Sequence, residues 1–570
     1  MKKTRLITLL AALAVASLAV AAEELGNVFE CSVTPPPVAP VDRLVAANLV
    51  KLGIQPVLCS DAVFVRRVYL DVIGTLPTAG QAREFIQDCD LPNKRRNLID
   101  QLLARDEFAD FWAMRWGDVL RIKAEFPVNL WPNAAQAYHR WVRSSIASNK
   151  PYDRFARELI TSSGSNFRVG QVNFYRAIQN RKPDGIATAV ALTFLGMRTE
   201  SWPAEQLAGM AAFFSQLGYK PTSERKEEHV FWDPLGTSTA AGNTAPGRPA
   251  IAPPAPPAAP PAVPAAAAVV TPAAAPSRAR FASFPDGRKG ELTLDRDPRD
   301  IFADWLIAPN NPWFARNIVN RYWAWLLGRG IIHEPDDIRR DNPPSNPALL
   351  AYLEREFVAN HYDLQQLCRL ILNSQTYQAS SMPRFPTPAA AANFASYPLR
   401  RMDAEVLIDA INKITGATDL YTSAIPEPFT YIPADQPAIS LPDGSITSPF
   451  LALFGRSARA TGMVSERDNK PVPAQWLYLL NSSHIQRKIE QSANLKTILD
   501  PSRKPSTIIE ELYLTILSRF PTPDEIQTIE AYGQVKPASA GKPAMVVKRR
   551  EDWLDLAWSL LNSTEFLYLH

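Results

Sequence analysis

The chain has 570 residues, 46% of them hydrophobic and 21% charged, which is long enough for two or three packed domains. Its formal net charge is +4, but Lys2, Lys3 and Arg5 lie in an N-terminal segment that we expect to be removed. The remaining charge of about +1 gives no electrostatic reason to expect a nucleic-acid partner.

Residues 1–21 have the pattern of a secretory signal peptide. A basic start precedes an apolar run from Leu6 to Val20, and Ala19-Val20-Ala21 offers a small-x-small cleavage site. The run is short for a membrane span, and no second apolar run of about 18 residues follows. We therefore predict an exported protein, periplasmic or extracellular, with no membrane span in the mature chain.

Helical periodicity dominates the rest of the chain and predicts a mainly α fold. We expect two domains built from helical hairpins, at residues 40–235 and 280–570. Between them, residues 245–277 are almost entirely proline and alanine, which predicts a linker and not a packed core. The flanking segments "HVFWD" and "ARFASFPDGRKGELTL" predict a few short strands, with a turn at Asp286-Gly287.

Two long helices illustrate the pattern in the C-terminal half. In the first, apolar residues recur every four positions and predict a broad buried stripe: Phe314, Ile318, Tyr322 and Leu326. Asn320 and Arg321 are expected to lie off this stripe. In the second, Asn346 is expected to cap the helix start and Pro347 to occupy its first turn.

The four cysteines, at positions 31, 59, 89 and 368, form no Cys-x-x-Cys motif, and none adjoins a histidine. This pattern gives no support for a zinc knuckle or a covalently attached c-type haem, so we predict no metal and no cofactor. In an oxidising compartment, one disulfide among Cys31, Cys59 and Cys89 is consistent with the sequence, and its pairing stays open.

Two clusters of charged residues are the candidate binding sites. Arg67 and Asp71 stand four residues apart on one predicted helix face and are expected to pair, with Arg66 beside them. This cluster is interpreted first as an ion pair at a domain interface, and second as an anion-binding arginine pair.

The second cluster, Arg400, Arg401, Asp403 and Glu405, lies at a predicted helix start. Asp403 is expected to cap that helix, while the arginines hold a neighbouring one. We interpret it as structural first. If a polar ligand site exists, we expect it here and beside Asn320 and Arg321. No catalytic residue is assigned.

Two further residues carry weaker hypotheses. Trp131, in the loop segment "FPVNLWPNAAQAY", would suit stacking on a sugar if it is exposed. His484 follows Ser482-Ser483, but no acidic partner and no nucleophile-elbow glycine pattern accompanies it in the sequence.

Long segments occur in the same order as in a known pair of families. The segments "FVRRVYLDVIGTLPT" (64–78), "YHRWVRSSIASNKPYDRFARELI" (138–160) and "NFYRAI" (173–178) resemble the planctomycete cytochrome-c-associated domain of unknown function. The segments "IFADWLIAPNNPWFARNIVNRYWAWLLGRGIIHEPDD" (301–337), "LILNSQTYQASS" (370–381) and "YPLRRMDAEVLIDAI" (397–411) resemble its usual partner, the planctomycete-specific domain. The resemblance implies an exported, mainly helical protein of unestablished activity.

The segment "FLGMRTESWPAEQLAGMAAFF" (194–214) departs from that resemblance. Many relatives place a Cys-x-x-Cys-His element between the "FLG" and "AAFF" parts, whereas residues 197–210 here contain neither cysteine nor histidine. We interpret Arg198-Thr199-Glu200 as the remnant of a site, shortened to a turn.

Three functions follow in order of preference. The first is an exported, non-catalytic scaffold or binding and accessory protein, acting with an exported sulfatase-like or cytochrome-type protein or with polysaccharide. The second is a carbohydrate-processing hydrolase whose acidic residues come from distant helices. The third is an electron-transfer accessory protein, as the resemblance to cytochrome-associated domains implies.

Overall fold

A computed structural model describes residues 28–88, 93–235, 281–536 and 545–570. The predicted signal peptide (1–21), the predicted linker (245–277) and Cys89 lie outside the described residues. Helices make up most of the described chain, which confirms the mainly α prediction.

The helices of residues 28–235 are α1 Pro40–Lys51, α2 Asp61–Ile73, α3 Ala79–Gln87, α4 Lys94–Leu103, α5 Asp106–Val119, α6 Pro132–Ala147, α7 Tyr152–Thr161, α8 Asn173–Arg176, α9 Pro183–Val190 and α10 Ala204–Ala211. Those of residues 281–570 are α11 Pro298–Leu306, α12 Phe314–Leu327, α13 Pro347–Ala359, α14 Leu364–Leu372, α15 Pro388–Ala392, α16 Ala404–Thr415, α17 Pro449–Leu453, α18 Pro473–Asn481, α19 Ser483–Glu490, α20 Ala493–Ile498, α21 Pro505–Ile516, α22 Pro523–Ala531, α23 Arg550–Leu561 and α24 Thr564–Leu567. A π-helical turn, Ala191–Leu195, follows α9 directly, and single 3₁₀ turns span Gly170–Val172, Ala212–Phe214, Ala438–Ser440 and Val464–Glu466.

The strands are short and all pair antiparallel: β1 Gly164–Ser165, β2 Leu217–Pro221, β3 Glu228–Trp232, β4 Phe281–Ser283, β5 Lys289–Glu291, β6 Arg400–Arg401, β7 Gln534–Lys536, β8 Met545–Val547 and β9 Tyr568–Leu569. One sheet has the order β1-β3-β2, and the pairs β4-β5, β6-β9 and β7-β8 form two-stranded ribbons. Strands β2 to β5 flank the predicted linker, and Gly287 turns between β4 and β5 with φ 87°, as the sequence predicts.

Local capping chemistry explains several helix starts. Asn346 Oδ1 accepts from the backbone N–H of Leu349 at 3.1 Å, which confirms the predicted cap of α13. Thr78 and Thr522 each form a capping box, one at the start of α3 and the other at the start of α22. The two helix pairs that these boxes organise, α2-α3 and α21-α22, therefore share one local design.

One continuous hydrophobic core extends from Val41 to Leu569 and includes residues from both sides of the predicted linker. Trp112 of α5 stacks on Tyr322 of α12 with ring centroids 4.7 Å apart and an interplanar angle of 11°. Trp116 meets Trp325 edge-on at 6.0 Å. Helices α5 and α12 therefore lie at the centre of the molecule, and the two halves are packed against each other.

Helix α12 differs from the prediction on its polar side. Asn320 and Arg321 were expected off the buried stripe, but both side chains are 0% exposed. The prediction was wrong because α12 is surrounded on all sides, so its polar residues are buried with internal hydrogen-bond partners.

Cys31 and Cys59 are free thiols, and the Cys31 Sγ–H donates to the main-chain oxygen of Cys59 at 3.0 Å. In the described part of the chain, no helix combines the length and the apolar character needed to cross a membrane.

Candidate functional site

Arg66 and Arg67 on α2 bind main-chain oxygens of the C-terminal half. Arg66 Nη1 and Nη2 donate to the oxygens of Ile516 and Phe566, both at 2.8 Å. Arg67 donates to the main-chain oxygens of His570 at 2.8 Å, Tyr377 at 2.6 Å and Ala379 at 2.9 Å. Burial lowers the pKa of Arg66 to about 10, which keeps the guanidinium charged at neutral pH.

Asp71 does not pair with Arg67, so that prediction was wrong. Its Oδ1 accepts from Arg400 Nη2 at 2.6 Å, and its Oδ2 accepts from the hydroxyls of Tyr377 at 2.9 Å and Tyr397 at 2.8 Å. The i, i+4 spacing placed Arg67 within reach of Asp71, but Arg67 donates instead to main-chain carbonyls of the C-terminal half.

Asn320 and Arg321 are also committed to internal partners. The Asn320 amide exchanges two hydrogen bonds with the backbone of Ile332, at 2.9 and 2.8 Å. Arg321 pairs with Asp336 at 2.7 Å and donates to the main-chain oxygen of Thr193 at 2.9 Å. Arg321 therefore connects α12 to the π-helical turn Ala191–Leu195 that follows α9.

Arg401, Asp403 and Glu405 belong to a buried ionic network at the start of α16. Arg401 Nη2 donates to the main-chain oxygen of Phe454 at 2.7 Å. Asp403 pairs with Arg115 of α5 at 2.6 Å, and Glu405 pairs with Arg467, also at 2.6 Å. Glu405 also accepts from Arg456 Nε at 3.1 Å, and Arg467 pairs further with Asp118 of α5 at 2.8 Å.

Asp403 occupies the N-cap position of α16 without a side-chain cap hydrogen bond, so its predicted capping role was wrong. Burial alone would raise the pKa of its carboxyl, but Arg115 and Arg467 together bring that pKa down to about 2. Asp403 is therefore ionised throughout the physiological pH range and contributes to interdomain attachment.

All nine predicted site residues thus have internal partners. Six of them connect the two halves, namely Arg66, Arg67, Asp71, Arg321, Arg400 and Asp403, whereas Asn320, Arg401 and Glu405 bind within the C-terminal half. Other residues line the surface features where a ligand would have access. Two loops, 123–131 and 423–431, form one such feature, joined where Glu125 Oε1 accepts from Ser423 Oγ at 3.2 Å and from the Ala424 N–H at 3.0 Å. These loops carry four aromatic side chains, which we call the aromatic surface: Phe126, Trp131, Phe429 and Tyr431.

The aromatic surface is exposed, and cations stand beside it. Phe126 is 79% exposed and Tyr431 70%, whereas Trp131 is half-buried. The Trp131 and Phe429 rings meet edge-on with centroids 5.2 Å apart, and the Arg225 guanidinium lies 5.3 Å from the Trp131 ring. Trp131 has φ 74°, an uncommon conformation for a bulky residue that the surrounding fold must impose.

A cavity of about 290 Å³ lies beside residues 197–200, which directly follow the "FLG" sequence at 194–196. Arg198, Thr199 and Glu200 line it, so this stretch forms the wall of a cavity and is more than a surface turn. The hydroxyls of Thr199 and of Thr188 in α9 share a hydrogen bond of 2.9 Å. The buried Arg121 and the carboxylate of Asp184 face the same cavity.

A larger cavity, of about 620 Å³, lies among the end of α16, the start of α17 and helices α18 to α20. His484, at the start of α19, lines it together with Asp419 and Tyr478. His484 Nε2 lies 2.7 Å from Asp419 Oδ1, and Nδ1 lies 3.0 Å from the Tyr478 hydroxyl. The acidic partner that the local sequence lacks is therefore supplied from 65 residues away.

Two family models match the chain. PSCyt2, described as "Protein of unknown function (DUF1549)", matches residues 40–216, and PSD1, described as "Protein of unknown function (DUF1553)", matches residues 298–533. The chain carries the PSCyt2–PSD1 planctomycete domain pair. No curated protein and no solved structure gives a significant match.

The match assigns each feature to its part of the pair. Asp71 and Arg115 belong to the PSCyt2 part, and their partners Arg400 and Asp403 belong to the PSD1 part. The aromatic surface draws Trp131 from PSCyt2 and its neighbouring ring from PSD1, whereas the His484 cavity lies wholly in PSD1.

Sequence reasoning missed both the aromatic pairing across the two parts and the His484 partners. The loop position of Trp131 was the one signal for the first. For the second, a histidine at a helix start was visible, but nothing in the sequence places the Asp419 loop beside α19. In the described ranges, no three side chains of His, Cys, Asp or Glu come together as a possible metal site.

Proposed function

We propose that the chain is an exported binding or accessory protein that recognises polysaccharide through its aromatic surface. The observation that carries the proposal is the contact of Trp131 with Phe429, which joins a half-buried ring of one half to an exposed ring of the other. Flat aromatic faces bind the apolar faces of sugar rings, and a rigid patch loses little entropy on binding. Such binding requires no catalytic group.

Three details support a recognition role for these loops. Phe126 and Tyr431 leave most of their apolar area in water, which costs free energy unless a partner covers it. The φ of 74° at Trp131 is an imposed conformation of the kind that collects at functional sites. The exposed Arg225 and Lys226 add positive charge beside the ring.

The interdomain network explains why a binding protein of this kind is built from two parts. Buried pairs such as Asp71 with Arg400 fix the PSCyt2 part against the PSD1 part. The loops that carry Trp131 and Phe429 are then held in register before any ligand arrives, which preserves affinity. An exported enzyme or cytochrome-type protein remains the predicted neighbour in function.

Affinity electrophoresis of the full chain through gels containing soluble polysaccharides tests this proposal. We expect at least one polymer to retard the protein, and Trp131→Ala to remove most of the retardation. Leu294→Ala is the matched control, because Leu294 is also an exposed apolar residue, at 70%. A panel of neutral and acidic polymers that leaves the migration unchanged would refute the proposal.

A carbohydrate-processing hydrolase remains the second prediction, and one observation indicates where its active site would lie. Asp184 and Glu200 both line the 290 Å³ cavity beside residues 197–200, and paired carboxylates are the groups that glycoside hydrolysis uses. An electron-transfer role remains a prediction of the family resemblance alone.

A further inference from the structure

The His484 cavity contains a hydrogen-bonded chain of the kind used for proton transfer. An ionised Asp419 only accepts, so His484 Nε2 carries the proton of the 2.7 Å contact. In the neutral ring, Nδ1 is then an acceptor, and the Tyr478 hydroxyl donates to it at 3.0 Å. The chain therefore prepares Tyr478 to pass its proton to His484.

The cavity is open to ligands at this point. The side chain of His484 is 31% exposed, that of Asp419 is 10% exposed, and Tyr478 is half-buried. Phe450 packs edge-on against the rings of Tyr478 at 5.9 Å and His484 at 6.4 Å. The aromatic wall and the phenol thus face a volume of about 620 Å³, enough for one or two sugar units.

Positive charge in the cavity favours an anionic ligand. Lys488 is tied to Asp419 at 3.5 Å and to the main-chain oxygen of Thr418 at 2.7 Å. The exposed Arg487 also lines the cavity, and its contacts are with Ser483 of its own helix, at 3.0 and 3.4 Å. Neither contact neutralises the charge of Arg487, which is therefore available to a carboxylate.

The same geometry argues against two other reactions. Glycoside hydrolysis uses two carboxylates, and Asp419 is the one carboxylate among the described residues that line the cavity. Acyl transfer to serine needs a free hydroxyl, but Ser448 caps α17 and Ser492 donates to the main-chain oxygen of Thr415 at 2.6 Å. A base and a charge-neutralising arginine remain, and these are the groups that β-elimination requires.

We propose that this cavity is a site of β-elimination in uronate-containing polysaccharides, with Tyr478 as the catalytic residue and Arg487 as the contact to the uronate carboxylate. The inference rests on the proposed polysaccharide binding and adds a reaction to it. Tyr478 Oη takes the proton from the carbon next to the carboxylate while its own proton moves to His484 Nδ1.

The glycosidic C–O bond on the next ring carbon then breaks, and its electron pair leaves with the departing oxygen, which takes a proton back from Tyr478. As His484 returns its proton to Tyr478, the starting protonation state is restored. A carbon–carbon double bond conjugated to the carboxylate forms, so the step balances without water, oxidant or metal. His484 and Asp419 act as positioning residues.

The test incubates the full chain with polygalacturonate, alginate and hyaluronan and records the ultraviolet absorbance of the conjugated double bond. We expect wild type to produce it with one polymer, and Tyr478→Phe to lower the rate by about 100-fold or more. Tyr532→Phe is the matched control, because Tyr532 is an exposed tyrosine outside the cavity whose hydroxyl also donates a hydrogen bond, in its case to the Asp555 carboxylate. Arg487→Gln should raise KM more than it lowers kcat.

Circular dichroism and the thermal midpoint verify that each variant is folded. If Tyr478→Phe does not fold, His484→Gln replaces it and should change the pH profile of the rate. A polymer that retards the protein in the gel but gives no new absorbance overturns the elimination and leaves the binding function standing. An active Tyr478→Phe overturns the assignment of Tyr478, and the absence of any retardation refutes the binding function itself.

Discussion

Asp71 Oδ1 accepts a 2.6 Å hydrogen bond from Arg400 Nη2, across 329 positions of the chain. The same Arg400 donates to the main-chain oxygens of Trp325 and Leu326, at the end of α12. The contact therefore connects α2 of the PSCyt2 part, the end of the central helix α12 and the β6 strand of the PSD1 part. Removing it should affect the whole molecule and not one part.

Asp71→Ala is expected to lower the free energy of unfolding by about 3–5 kcal/mol, because it leaves the Arg400 guanidinium buried without its carboxylate. The Asp71 side chain is 3% exposed, so water cannot replace it. Urea denaturation followed by circular dichroism measures the change, and a single cooperative transition is expected in both proteins.

The matched control is Asp100→Ala, which removes the 2.6 Å pair with Arg369 where the side chains are 43% and 33% exposed. This exposed pair should contribute at most about 1 kcal/mol. Equal losses in the two variants would mean that the Asp71 contact has no special structural role.

Trp112→Ala should destabilise the protein by about 3–5 kcal/mol by opening a cavity between α5 and α12. Trp112 is 1% exposed, and its indole N–H donates to the main-chain oxygen of Val72 at 3.1 Å. Phe126→Ala serves as the comparison because Phe126 is 79% exposed, and it should change stability by less than about 0.5 kcal/mol. Thermal unfolding distinguishes these results, and a small effect at Trp112 would contradict a shared core.

Asp409 gives the stability of the protein a defined pH dependence. Burial raises the pKa of its carboxyl to about 7, while hydrogen bonds from the N–H groups of Ala438 and Ile439 oppose the shift. Between about pH 4 and pH 7 the folded state holds a proton that the unfolded state has lost. The free energy of unfolding should therefore fall as the pH rises through this window.

Asp409→Asn should flatten that dependence, since the side chain no longer titrates. Denaturation at several pH values between 4 and 7 measures the slope, and the exposed Asp435→Asn is the control that should keep it. If both variants retain the wild-type slope, another group is responsible for it.

Local signals were sufficient for much of the fold. Cap residues, proline at first turns and four-residue apolar spacing located helices such as α13, because these features act within a few residues. The polar side of α12 was misjudged for the opposite reason. Whether Arg321 faces water or Asp336 depends on elements that pack around it from elsewhere in the chain.

The candidate sites show the same division. The clusters at Arg66 and Arg400 were visible as charges, but partners such as Asp71 for Arg400 and His570 for Arg67 lie 329 and 503 positions away, and no local spacing encodes them. His484 looked isolated because Asp419 lies 65 positions away, and nothing in the sequence marked Tyr478, six positions away, as its partner. Trp131 was found from its loop position, whereas its contact with Phe429 required the docking of the two parts.

The central claim is that rings from both parts form one polysaccharide-binding surface, and a calorimetric double-mutant cycle tests it most directly. The polymer that retards the full chain is titrated into wild type, Trp131→Ala, Phe429→Ala and the double variant. We predict that each single variant loses at least about tenfold in affinity and that the pair is coupled by about 0.5–1.5 kcal/mol. Single variants that bind as tightly as wild type would contradict the account.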